Sequence, residues 1–150
     1  MSSFDLSKPI AIGADHAGFE YKRDLIVWLK EKGYQVSDKG TFDNSSVDYP
    51  DYAHPVAEMV EKGEAAFGIL MCGSANGVCM TANKHQGIRA GLAYQSDVAV
   101  LIRQHNDANI ICMPARFVAF SQVTHMVEIF ISTAFEGGRH QNRVNKISCS

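Results

Sequence analysis

Cys72 and Ser74 sit in a run of small residues, Cys72-Gly73-Ser74-Ala75-Asn76-Gly77, that follows directly on the apolar stretch Phe67-Gly-Ile-Leu-Met71. The segment from Val78 to Lys84 then takes on helical character. A buried strand that breaks into a Gly-rich turn and feeds a helix leaves backbone N–H groups unpaired at the helix start. That end carries partial positive charge and suits an anion. A thiol at the strand's end lies in the same field, which favours its thiolate. One short segment would then combine a base with donors for the negative charge that proton abstraction creates. The same pattern also fits a small buried hydrophobe at the end of an ordinary strand. The local pattern leaves both readings open.

Other residues with chemical potential fall at comparable places. Asp15 and His16 follow the apolar run Pro9-Ile-Ala-Ile-Gly13, and Arg116 follows a run ending at Met113. His105-Asn106-Asp107 ends a helical segment, where a histidine can face a ligand or simply place charge on the helix dipole. Arg139 and Arg143 are spaced i, i+4, so a helical tail would set both on one face. That spacing suits a phosphate, and it also describes a solvated basic end. His54, His85 and His125 show no partner pattern and read as surface residues.

The elements that must position these groups follow from hydrophobic periodicity. Strand signals cover Pro9 to Gly13, Tyr34 to Asp38, Phe67 to Cys72, Ile88 to Tyr94 and Asn109 to Met113. Between them lie helical stripes: Tyr21, Leu25, Trp28 and Leu29 in the first, and Tyr52, Ala53, Val56, Met59 and Val60 in the second. The second is expected to begin near Ala53, with Pro55 in its first turn. Lys32-Gly33 and Lys62-Gly63 end these two helices with a basic residue and a glycine. Ser96 to about Gln104 forms another helix. A last one, with Ser121 as its N-cap, places Val123, Met126, Val127, Phe130, Ile131 and Ala134 on one face. Strands alternating with helices define an α/β class: a three-layer αβα, Rossmann-like or flavodoxin-like fold with a five-stranded parallel sheet. In such sheets ligands bind outside the carboxyl ends of the strands. Asp15-His16, Cys72 to Gly77, and Arg116 all fall there.

Composition sets the outer bounds. The chain has 150 residues, 46% of them apolar, and a formal net charge of −2. One domain with a real core is expected over 1–150, its core spanning about 9–135 and a basic tail over 136–150. Nothing in the charge calls for a nucleic acid or an acidic membrane, and the apolar runs are strand-sized. The polar start, Met1 to Lys8, has no apolar signal core, so a cytoplasmic location is the default. The four cysteines, Cys72, Cys79, Cys112 and Cys149, lack zinc spacing and read as reduced thiols. The Gly-rich turn is not G-x-G-x-x-G, which argues against a dinucleotide.

Taken together, several blocks carry a family resemblance. They are Gly13-Ala-Asp15-His16-Ala-Gly-Phe19, Asp48-Tyr-Pro-Asp-Tyr-Ala53, Cys72-Gly-Ser74, Ala82-Asn-Lys84, Gly87-Ile-Arg-Ala90, Arg103-Gln-His105-Asn106-Asp107-Ala-Asn109 and Glu136-Gly-Gly-Arg139-His-x-x-Arg143-Val144. In order and spacing they resemble the type B ribose-5-phosphate isomerases, a family that includes galactose-6-phosphate and allose-6-phosphate isomerases. The resemblance runs from about Ile10 to Ile147. It implies an aldose–ketose isomerase of the non-oxidative pentose phosphate pathway, working without cofactor or metal on a sugar phosphate. By the same resemblance Cys72 is the base between C1 and C2, and Ser74 stands where a hydroxyl helps relay a proton between O1 and O2. Asp15 and His105 open the furanose ring, with His105 supplied by the neighbouring subunit. Arg116, Arg139 and Arg143, aided by His16, clamp the phosphate. The turn Gly73, Ser74, Ala75, Asn76 and Gly77, with Asn106, binds the enediolate. A homodimer with composite sites, or a tetramer built from such dimers, is implied.

Two positions depart from the family pattern. Ala75 replaces a glycine, and if that position needs φ > 0 it costs about a kcal/mol or shifts the turn. Val78 stands where another branch of the family carries a glutamate base, which leaves Cys72 as the only base on offer. The alternatives are a six-carbon sugar-phosphate isomerase and a non-catalytic sugar-phosphate or nucleotide-binding module. Keeping Cys72, Asp15 and His105 together favours the enzyme, because a binder needs only the arginines.

Overall fold

A computed structural model of the chain describes residues 2–149. The strands are β1 (Ile10–Ala14), β2 (Val36–Asp38), β3 (Gly68–Cys72), β4 (Ala90–Leu92) and β5 (Ile110–Pro114). The helices are α1 (Phe19–Glu31), α2 (Pro50–Glu61), α3 (Asn76–Ala82), α4 (Ser96–Gln104), α5 (Phe120–Ser132) and α6 (Arg139–Val144). All strand pairs are parallel, in the order β2-β1-β3-β5-β4. This is the expected three-layer α/β architecture, with the last two strands exchanged relative to the flavodoxin order.

Period-two alternation in the central strands builds two separate cores. Ile10, Ile12, Ile69, Met71, Ile111 and Met113 point to one face, where they meet Leu25 and Leu29 of α1, Ile102 of α4 and Val127 and Phe130 of α5. Ala11, Leu70, Cys72, Ile110 and Cys112 point to the other, against Ala53 and Val56 of α2 and Val78 and Ala82 of α3. Right-handed crossovers require this division. The β1→β2 and β4→β5 connections step one way along the sheet, and β2→β3 and β3→β4 step the other. The chain therefore leaves β1 and β3 toward opposite faces. That opens a crevice at their carboxyl ends, in register at Ala14↔Met71.

Local chemistry explains most element ends. Gly33 (φ +91°) and Gly63 (φ +73°) stop α1 and α2 in conformations that side chains resist. Lys22 lies on the buried face of α1, where its ammonium reaches both carboxylate oxygens of Asp38 at 2.8 and 2.9 Å and ties α1 to the end of β2. Helix α2 starts earlier than expected, at Pro50, because the Ala53 N–H already bonds the Tyr49 carbonyl at 3.1 Å. Pro55 therefore falls inside the helix rather than in its first turn. Helix α5 is capped at Ala119 rather than Ser121, since the Gln122 side chain accepts the Ala119 N–H at 2.7 Å. Among the described residues, no helix is long and apolar enough to cross a membrane.

Candidate active site

The crevice is a cavity of about 480 Å³ lined by Asp15, His16, Ala17, Tyr49, Cys72, Gly73, Ser74, Gly77, Arg116 and Phe117. Three carboxyl ends build it. Behind β1, the Asp15 carboxylate accepts the N–H groups of Ala17 and Gly18 at 2.9 and 3.2 Å and is almost wholly buried. His16 accepts the Val47 N–H at Nδ1, 3.2 Å away. A neutral ring so held carries its proton on Nε2, leaving that nitrogen as a donor.

Behind β3, Cys72 is 5% exposed and ends the strand on the α2–α3 face. Ala75 takes a left-handed conformation, φ 64° and ψ −4°, and turns the chain into α3. Its methyl is fully buried in the same core. Asn76 N–H reaches Ser74 Oγ at 3.4 Å. Among the described residues, the N–H groups of Gly73, Ser74, Ala75 and Gly77 find no protein acceptor. A Cβ at Gly77 would lie 2.5 Å from the Tyr49 ring, so a side chain there would displace that ring.

Behind β5, the Ala115 and Arg116 N–H groups donate to the carbonyls of Cys72 (2.9 Å) and Gly73 (3.1 Å). These bonds zip the two turns together and bring the Arg116 side chain against Gly73. Arg116 is exposed, and among the described residues its guanidinium has no carboxylate partner. The Arg116 cation, the Asp15 carboxylate, the Cys72 thiol and the residues whose N–H groups lack an acceptor, Gly73, Ser74 and Gly77, line one opening. Such a site suits an anionic polyol whose C–H proton is to be removed.

The remaining candidates gather elsewhere. His105, Asn106 and Arg143 line a second cavity of about 310 Å³ together with His140, Val144 and Ile147. His105 is the C-cap of α4, and Asp107 just beyond it takes φ 48°. That bend is held by Arg103, 2% exposed, which donates to Asp107 Oδ1 (3.0 Å), the Thr133 carbonyl (3.1 Å), Ser3 Oγ (2.9 Å) and the Ala108 carbonyl. Arg89 holds the other Asp107 oxygen at 3.3 Å. Arg139 is exposed at the first position of α6, outside the lining of either cavity. Asn76 lines a third opening beside Met80 and Leu92. Within one chain, then, most of the residues form two clusters, with Arg139 and Asn76 outside both.

Several residues had no role assigned from sequence. Tyr49 and Phe117 line the first cavity, and His140 is buried in the second, stacked on His105 with ring centroids 4.3 Å apart. Tyr49 and His140 lie within the blocks that carry the family resemblance, the one signal that could have found them. His54 is exposed, as expected, and His85 is half-buried, but the two are in contact. His54 Nδ1 meets His85 Nε2 at 2.8 Å, and His85 lies 3.6 Å from Glu61. Sequence periodicity could not show this contact, because it joins α2 to the loop after α3. The thiols also differ. Burial pushes Cys112 well above the usual thiol range, with Cys79 and Cys72 acting the same way, while the hydrogen bond with Cys112 draws Cys79 down.

Fold and site together define a parallel α/β protein with a thiol at the switch point of its sheet. The ribose/galactose isomerase family model matches residues 10–147. A ribose-5-phosphate isomerase B from Escherichia coli is 43% identical over 94% of this chain and 95% of its own length. The crystal structure of a ribose 5-phosphate isomerase from Thermotoga maritima superposes with a TM-score of 0.92 at 45% identity, covering 94% of this chain and 97% of that one. A ribose-5-phosphate isomerase B from Mycoplasma genitalium, solved with bound ribulose 5-phosphate, gives 0.90 at 42% identity over 95% of each chain. The chain belongs to the ribose/galactose isomerase family, and it is an isomerase.

Proposed function

We propose that the chain interconverts ribose 5-phosphate and ribulose 5-phosphate, the aldose–ketose step of the non-oxidative pentose phosphate pathway. The observation that carries this reading is Cys72 in the same cavity as Asp15, His16, Arg116 and the unpaired N–H groups of the β3–α3 turn. The Cys72 thiolate takes the proton from C2 of the open-chain aldose and returns it to C1. The N–H groups of Gly73 to Gly77 stabilise the enediolate between those events, acting where charge develops. Ser74 relays the proton between O1 and O2. Asp15, held by two backbone donors, faces the sugar ring, and Arg116 with the Nε2–H of His16 binds phosphate.

One chain supports only half of this scheme, since His105, Asn106 and Arg143 line a separate cavity. We infer that a second copy completes the site by bringing its His105 to the ring oxygen and its Arg139 and Arg143 to the phosphate. The tail beyond 135 would thus complete the neighbour's phosphate clamp rather than its own. Met80, Tyr94, Leu101 and Ile147 are exposed apolar residues near the β4 edge of the sheet, and a second copy would cover them. A homodimer in the cytoplasm is the assembly proposed.

Purified protein given ribose 5-phosphate, allose 6-phosphate and galactose 6-phosphate, with EDTA present, tests the reading. Ketose formation from ribose 5-phosphate and not from free ribose is the expected result. Preference for a six-carbon substrate would instead favour the galactose side of the family description. No turnover of any of them would sink the proposal.

A further inference from the structure

His105, Glu136 and His140 converge from different parts of the chain. The Glu136 N–H donates to the Gln104 carbonyl at 3.0 Å, which pins the segment before α6 against the end of α4. The His140 N–H bonds the Gly137 carbonyl at 3.0 Å, so the first turn of α6 folds back over the same place. One nitrogen of each histidine and one Glu136 oxygen lie within 4.8 Å of one another. The His105 and His140 rings stack at 14°.

A second observation concerns the bonding of His140 within this group. His140 is 6% exposed, and its Nε2 is buried with no hydrogen-bond partner, lying 3.5 Å from Glu136 Oε2. A buried polar atom left unpaired calls for an explanation, and an ion is one. We propose that His105, Glu136 and His140 bind a divalent transition-metal ion of the zinc class, which withdraws His105 from the sugar ring and so inhibits the enzyme. The inhibitory half rests on the function proposed above; the binding half does not.

Two imidazoles and a carboxylate form a zinc ligand set that leaves one position open. Ligand atoms in a tetrahedral site lie roughly 3.3 Å apart, so atoms now within 4.8 Å of one another close on an ion with shifts of up to roughly 1.5 Å. Burial, with His105, Arg139 and Arg143 acting the same way, holds His140 below the usual imidazole range despite Glu136. The same arginines oppose any cation. The two imidazoles favour zinc, copper or nickel, which bond strongly to them, over calcium and magnesium, which want oxygen ligands.

Protein freed of metal and then of chelator is titrated with Zn²⁺ against a chromophoric competitor, and with Co²⁺ read by its visible d–d bands. Wild type, Glu136→Gln and His140→Gln are compared, with His54→Gln and Cys149→Ser as controls for adventitious sites. The expected result is one ion per chain, tetrahedral Co²⁺ bands without thiolate charge transfer, and affinity at least roughly tenfold weaker in both ligand variants. Loss of an outer-shell partner alone costs that much. Exposed Glu136 keeps the test decisive if His140→Gln fails to fold. Equal affinity in wild type and Glu136→Gln would overturn the site. Zn²⁺ should also inhibit turnover of ribose 5-phosphate, reversibly with EDTA, while Glu136→Gln keeps its basal rate and resists. Binding at the site without inhibition would overturn the coupling to His105. Absence of turnover in metal-free wild type would instead count against the functional reading, leaving the binding comparison to decide the metal site.

Discussion

Ala75 holds φ at 64°, in the region where an L side chain costs about 1–2 kcal/mol. Glycine would relieve that strain. It would also lose a fully buried methyl, about 0.8 kcal/mol, and gain unfolded-state freedom of about 0.4–1 kcal/mol. These effects oppose and nearly cancel, so Ala75→Gly should move the urea midpoint by no more than about 1 kcal/mol equivalent. That balance explains how alanine occupies a glycine position. A β-branched residue there is a true outlier, and Ala75→Val should lose about 2 kcal/mol or more and slow turnover as the turn's N–H groups move. Equal midpoints for the two variants would mean that the position is not held left-handed. Cys72→Ala, with folding checked by circular dichroism, should lower turnover by about 10²–10⁴-fold. Near-normal turnover would remove Cys72 as the base. Alkylation gives a second measure only in a Cys149→Ser background, because Cys149 is exposed and reacts regardless of the site. In that background inactivation should track Cys72 and be slowed by ribose 5-phosphate.

The elements show where sequence was informative and where it was not. Each expected strand is present, and the β3–α3 turn was legible because its signal is local: an apolar run, small residues, then a helix. Edges were less so. The fourth strand shrinks from the apolar run 88–94 to Ala90–Leu92, since only those residues pair with β5. The order of the last two strands, and the stacking of His140 on His105, depend on contacts between segments remote in sequence, which periodicity does not encode. The network around Arg103 is another such case. It anchors the end of α4, and with it His105, to residues as distant as Ser3 and Thr133. Arg103→Met should cost about 1–3 kcal/mol for each buried group left without its partner, chiefly the carbonyls of Ala108 and Thr133. Amide exchange over residues 105–109 should accelerate more than over β3, which lies apart from the network. Wild-type stability and unchanged exchange would show that Arg103 is not what holds His105 in place.

At the scale of the whole molecule, the separation of the two clusters makes a quantitative demand. If each active site needs Cys72 from one chain and His105 from another, no single chain can be active alone. In a two-fold symmetric dimer the two composite sites are equivalent, each taking one contribution from either subunit. Cys72→Ala and His105→Ala chains can then be unfolded together and refolded at equal ratio. About half of the dimers will be mixed by random pairing, and each mixed dimer holds one doubly defective site and one intact site. Roughly a quarter of wild-type activity should return, above the sum of the two variants refolded separately. That sum is the proper baseline, because some ring opening is spontaneous and leaves His105→Ala a residual rate. The two variants lie in different cavities and on different elements, so a gain on mixing reports complementation between chains rather than repair of a shared folding defect. Mixed dimers demonstrated by mass, with activity held at the baseline, would place His105 and Cys72 of one chain in the same site.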